Sequence, residues 1–128
     1  MITSDGASLV IQSHTLSHSE ITAALGLDPT WTADGEHVTW VLEQPGEDAQ
    51  YVDGTGSLCL EKLVARLEGL AQNLAQLRET CDTTIWWHGS SNSEQGGFEL
   101  HAQLVAGLGL LGCDLVGTVY FDGVPLEN

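Results

Sequence analysis

Ser57-Leu-Cys-Leu60-Glu-Lys-Leu63-Val-Ala-Arg-Leu67-Glu-Gly-Leu70-Ala-Gln-Asn-Leu74-Ala-Gln-Leu77-Arg-Glu79 is the stretch that decides the fold. Its six numbered leucines recur at spacings of 3, 4, 3, 4 and 3, and Val64 and Ala71 widen the stripe. Apolar side chains at that spacing line one face of an α-helix, and Ser57 is placed to cap its start. The stripe lasts under three heptads and lacks oppositely charged flanks throughout, so it reads as a core helix packed on a sheet rather than a coiled-coil seam. Burying each leucine contributes about 1.5–3 kcal/mol before conformational entropy is subtracted.

The flanking sequence supplies the sheet. Upstream, Ser8 to Gln12 alternates and suits a strand with Leu9 and Ile11 on one face. Ser17-His18-Ser19-Glu20 matches a capping box, and the helix it opens runs to Gly26, with Pro29 forbidding continuation. His37 to Leu42 reads as a second strand. Gln44 to Gly56 holds Pro45, Gly46, Gly54 and Gly56 and reads as a loop. Downstream, Thr83 to His88 is a third strand ended by Gly89. A polar loop, a helix over about His101 to Leu110 and a last strand from Leu115 to Phe121 follow.

The chain also echoes itself. Ile21 to Leu27 and Leu104 to Leu110 match at four of seven positions, and each segment lies between two predicted strands. Either the chain holds two β-α-β units joined by the long helix, or the two segments share only the look of helices ending in glycine. The expected architecture is an α+β two-layer sandwich in one domain, residues 1–128. It has a mixed, mostly antiparallel sheet of four to five strands with about three helices on one face.

Leu9 to Ile11, the run Glu20-Ile21-Thr22-Ala23-Ala24-Leu25-Gly26-Leu27-Asp28-Pro29-Thr30, Gly35-Glu36 and Trp40 carry a family resemblance. They resemble the start of the bacterial family called domain of unknown function 4279. The ending is similar too, where Leu108-Gly109-Leu110 leads into Asp114, Leu115 and Tyr120. The resemblance implies a bacterial α+β domain. It supplies no activity, cofactor or catalytic residue, and this chain departs from it in its acidity.

Three basic residues face 18 acidic ones among 128, a formal net charge of −15. Such a field argues against nucleic acid and against anionic membrane surfaces as direct partners. The N-terminus Met1 to Asp5 carries neither a cation nor an apolar run, and the longest apolar stretch, Leu104 to Leu111, is too short to cross a bilayer. Cys59, Cys81 and Cys113 form no CxxC pair and read as small core residues in a reducing compartment, so a cytoplasmic location is expected. No metal or cofactor signature is expected to operate. His14 and His18 straddle a turn and would need carboxylates such as Asp5 or Glu20, and Gly54 to Ser57 lacks a phosphate-binding lysine. Ser90, Ser91 and Ser93 after His88 lack a nucleophile elbow and read as a turn, so no catalytic residue is assigned.

The charge is unevenly placed. Lys62, Arg66 and Arg78 all fall in the leucine-striped helix, where Glu61, Glu68 and Glu79 balance them. The rest of the chain holds 15 acidic residues and no cation, with seven between positions 28 and 53. That placement suits a cationic partner steered by the field and locked by an apolar anchor. The candidate partner-binding residues are Asp34, Glu36, Glu43, Glu47, Asp48, Tyr51, Asp53 and Trp86. Trp86-Trp87-His88 puts one tryptophan on each face of a strand. One belongs to the core, and the other is either covered, as tryptophans usually are, or an interface residue. The expected function is a non-catalytic binding protein of the immunity or antitoxin type. It would cover a basic site on a protein partner such as a toxin domain that targets nucleic acid. Two alternatives stand beside it: a ligand-binding domain or enzyme with a pocket between sheet and helices near Trp86 and His88, and an acidic housekeeping domain without a cationic partner.

Overall fold

The apolar alternation and the leucine stripe meet across one interface in the structure, a computed structural model that describes residues 2–46, 56–93 and 97–121. Strand β1 (Ile2–Ser13) is the centre of a five-stranded sheet. It pairs antiparallel with β3 (Val38–Gln44) on one side and with β4 (Cys81–Ser91) on the other. The short β2 (Trp31–Ala33) adds antiparallel to β3, and β5 (Asp114–Phe121) adds parallel to β4, giving the order β2-β3-β1-β4-β5. The helices α1 (His18–Leu25), α2 (Leu58–Leu67), α3 (Ala71–Leu77) and α4 (Ala102–Leu111) form a second layer on one face. This is the expected α+β sandwich with a mixed sheet.

The core follows from the period-2 rule. Ala7, Leu9 and Ile11 of β1 and Ile85 and Trp87 of β4 point to the helical layer and are buried. They meet Leu60, Leu63, Leu67, Leu74 and Leu77, all buried from the stripe. The single helix expected over 57–79 is instead α2 and α3 joined by a 3₁₀ turn, Glu68–Leu70. Gly69 sits in that turn, where the weakest non-proline helix former lets the backbone tighten. Leu70, on the same turn, is the one leucine of the six left half-buried.

Local chemistry explains most boundaries. At α1, Ser17 Oγ accepts from Glu20 N and Glu20 Oε1 accepts from Ser17 N, each at 3.1 Å, and Gly26 closes the helix at φ +82°. Ser57 does not cap α2 with its side chain, contrary to expectation: its Oγ donates to Glu99 O at 2.8 Å. Gly89 does not end β4, which runs on to Ser91. A Cβ at Gly89 would lie 2.8 Å from Trp87 Cη2, so the glycine makes room for the indole. The echoed segments are not equivalent. β4 and β5 are parallel around α4, whereas β1 and β3 are antiparallel, and Gly109 lies inside α4, which Gly112 terminates. Gly26 ends α1 but its counterpart Gly109 does not end α4, so neither duplication nor a shared helix ending accounts for the likeness.

Candidate functional site

The face of the sheet away from the helices is built by the alternate residues of each strand. Reading across from β2 to β5, one row is Trp31, Val41, Val10, Thr84 and Asp114. The next runs Glu43, Ser8, Trp86 and Val116. Asp82 precedes Thr84 on this face, and His88, Thr118 and Tyr120 continue it. Three aromatic side chains stand half-exposed here: Trp31 at 46%, Trp86 at 47% and Tyr120 at 57%. Trp31 Nε1 donates to Glu43 Oε1 at 2.9 Å, which holds the indole along β3 beside the buried Val41. His88 lies over Gly6, where a Cβ would come 2.5 Å from the imidazole Cε1. Trp86, His88, Thr118 and Tyr120 frame a shallow depression of about 340 Å³.

The expectation that both neighbouring tryptophans are covered is corrected. Trp87 is buried and Trp86 is not, because all helices pack on the Trp87 side. Of the eight candidate residues, Glu43 and Trp86 come onto this face in one row, separated by Ser8. They are two strand spacings apart, or about 10 Å. Asp34 and Glu36 lie in the turn joining β2 to β3, at the margin of the face. Glu47, Asp48, Tyr51 and Asp53 lie outside the described residues. Asp82, Asp114, Trp31 and Tyr120 complete the face and were not among the candidates. Asp82 and Trp86 were connected by the period-2 pattern of Asp82-Thr83-Thr84-Ile85-Trp86, but Asp114 and Tyr120 join them only through a parallel pairing that the pattern does not reveal.

The charge on the two layers differs in kind. Carboxylates occur on both: Glu43, Asp82 and Asp114 on the open face, Glu20, Glu61 and Glu68 on the helices. The cations do not. Lys62 and Arg66 are in α2 and Arg78 directly follows α3. Arg66 Nη1 donates to Gln44 Oε1 at 3.0 Å, and the Arg78 guanidinium donates to Leu111 O at the end of α4. Among the described residues the open face therefore carries carboxylates and aromatic rings without a lysine or arginine.

A second feature lies beneath the helices. Leu60, Trp87, Phe98, Leu100, Leu115 and Val119 line a half-open apolar pocket of about 270 Å³, with Gly117 among its lining residues. The Trp87 and Phe98 rings are 4.8 Å apart. The expected pocket between sheet and helices thus uses Trp87; Trp86 and His88 are on the opposite face. Beside it, Asp5 is only 3% exposed. Its Oδ2 accepts from Cys59 N at 3.0 Å and from Trp87 Nε1 at 2.9 Å, so it supplies to the start of α2 the acceptor that Ser57 does not. The sequence offers Asp5 as a metal carboxylate for His14 and His18, but the structure places it in the interior, at the end of β1 away from His14.

The three cysteines are free thiols, Cys59 and Cys81 buried and Cys113 partly so. Burial pushes the Cys113 thiol up from its usual range. His14 meets His37 edge-on at 5.5 Å, and His37 Nε2 is 3.0 Å from Gln12 Nε2. No group of three or more potential metal ligands gathers among the described residues, and no helix among them is long and apolar enough to cross a membrane. Compared with known proteins, the chain matches no family model, no curated protein and no solved structure.

Proposed function

We propose that this is a non-catalytic binding protein of the immunity or antitoxin type, acting in the cytoplasm, that lays the open face of its sheet against a basic site on a protein partner. One observation carries the reading: the open face combines half-exposed Trp31, Trp86 and Tyr120 with Glu43, Asp82 and Asp114, while every lysine and arginine of the chain is in the helical layer. Aromatic side chains are the preferred anchors of protein interfaces, and a one-signed rim steers a partner of the other sign. A toxin site shaped to hold nucleic-acid phosphates is such a surface, and a folded polyanion competes for it directly.

The test uses the full chain as immobilised bait in low salt, with Trp86→Ser and Asp82→Lys as comparison baits. The expected result is a basic protein retained by the parent and lost from both variants, its association slowed by Asp82→Lys and by added salt. Retention unchanged by both substitutions refutes the assignment to this face. A second reading has its own observation, the apolar pocket of about 270 Å³. Lined by leucines, Trp87 and Phe98, it suits a small hydrocarbon or aromatic ligand. Quenching or enhancement of buried-tryptophan fluorescence by such a compound, abolished by Gly117→Leu, distinguishes it.

A further inference from the structure

We propose that β5 is a dimerisation edge: two copies of this chain join their sheets by antiparallel β5–β5 pairing about a two-fold axis at Thr118. This edge borders the basic-partner face and shares Asp114 and Tyr120 with it, but neither proposal requires the other.

The sheet has two margins, and they are unlike. β2 has three residues, which leaves little backbone to pair with. β5 has eight, in unbroken parallel register with β4 from Asp114 to Phe121. Among the described residues it has a strand neighbour on one side only. Exposed edges in soluble proteins are commonly guarded by lysine, proline or a bulge. Positions 114–121 contain no lysine, arginine or proline, and no bulge breaks the register. The side chains are equally unguarded. Leu115, Val119 and Phe121 on the helix side and Val116 and Tyr120 on the open side are all 37% exposed or more.

Charge selects the occupant. Asp114 is the only charged residue of β5, and α4, which leads into it, has none. A cationic partner gains least at this margin. A second copy, carrying the same charge of −15, meets no like charge along positions 115–121. The edge is also complementary to itself. Centred on Thr118, the pairing sets Leu115 opposite Phe121 and Val116 opposite Tyr120, each twice by symmetry, with Gly117 opposite Val119. Both helical layers then lie on one side of a ten-stranded sheet. A slip by one residue sets helix-side residues opposite open-side ones, which the pleat forbids. The five apolar side chains offer about 400 Å² per chain, about 800 Å² in the pair, below the roughly 1,200–2,000 Å² of a stable interface and in the range of a weak, transient one. A dimer in the micromolar range is therefore expected.

Sedimentation velocity on the full chain under reducing conditions tests this across about 1–200 µM. The expected result is a monomer–dimer equilibrium that tightens as salt screens the like charges. Val116→Glu with Tyr120→Glu, both exposed in the single chain, is expected to weaken the dimer at least tenfold while circular dichroism stays that of the parent. Thr118→Cys is expected to give a disulfide-linked dimer on mild oxidation, in a yield the parent chain with its own cysteines does not reach. A parent chain that stays monomeric at every concentration and salt overturns the proposal. So does a chain that dimerises only after residues 122–128 are removed, because its own terminus then occupies the edge. A dimer indifferent to the double glutamate, or one that Thr118→Cys fails to link, lies elsewhere and overturns it equally.

Discussion

Replacing Asp5 by alanine should remove a large share of the protein's stability. The carboxylate is 3% exposed and ties three elements together: β1 carries it, Cys59 N at the start of α2 donates to it, and Trp87 Nε1 on β4 donates to the same oxygen. Alanine leaves both donors facing apolar surroundings that water does not reach. Each stranded donor costs about 1–3 kcal/mol, and loss of an anion from a helix N-terminus adds about 0.5–1 kcal/mol. The expected loss is about 2.5–7 kcal/mol, against a total of about 5–15 kcal/mol for a domain of this kind. Asp5→Asn keeps the shape and one acceptor oxygen, so it should cost about half as much. Urea unfolding followed by tryptophan fluorescence and circular dichroism measures both, read as shifts in midpoint at constant slope. A double-mutant cycle with Trp87→Phe should show a coupling of about 1 kcal/mol or more, because Asp5→Ala strands the indole donor only in the background that keeps Trp87. An alanine variant within about 0.5 kcal/mol of the parent, or full additivity with Trp87→Phe, would refute the claim that this carboxylate holds the three elements.

Three other outcomes are expected. Leu67 is fully buried at the centre of the stripe, so Leu67→Asp should abolish the cooperative unfolding transition; a variant that retains it places the helix wrongly. Acrylamide should quench Trp31 and Trp86 and spare Trp40 and Trp87, and Trp31→Phe with Trp86→Phe should leave only protected emission; four equally accessible tryptophans contradict the arrangement of the faces. Burial raises the Cys113 thiol, so at neutral pH it should alkylate more slowly than free cysteine. A folded pKa above the unfolded one gives stability that is complete below the ordinary thiol value and is lost as pH rises through the raised folded value. Cys113→Ser should remove that alkaline decline; an unchanged pH profile assigns it to another group.

What could be read from the sequence was local or periodic. The α1 capping box is four consecutive residues with a reciprocal pair of bonds, and it forms as written. The leucine stripe buries as its period demands, and only its continuity fails, at Gly69. The misses share a different cause, since each depends on contacts between distant residues. Gly89 looks like a strand end until the Trp87 ring is seen to need its space. Asp5 looks like a surface acid near the N-terminus, but its partners are 54 and 82 residues away. Ser57 occupies a cap position, yet a carboxylate from β1 takes the amide and the hydroxyl turns to Glu99. Trp31, Trp86 and Asp114 share a face only because β2 and β5 join opposite sides of a sheet whose strand order no periodicity encodes.

The open face and the β5 edge make opposite demands on ionic strength, and that opposition separates field from packing. On the proposed reading, Glu43, Asp82 and Asp114 would attract a basic partner over a distance of about 10 Å at 0.1 M salt and about 3 Å at 1 M, so an encounter steered by them would slow as salt is added. Two copies of a chain with net charge −15 repel over the same distances, so their pairing tightens under the same change. The apolar contacts in both cases, Trp86 on one surface and Leu115 with Phe121 on the other, are nearly indifferent to moderate salt. A partner complex that strengthened in high salt would therefore owe its affinity to the tryptophans alone, and the carboxylates around them would serve only to keep the free protein apart from its own kind.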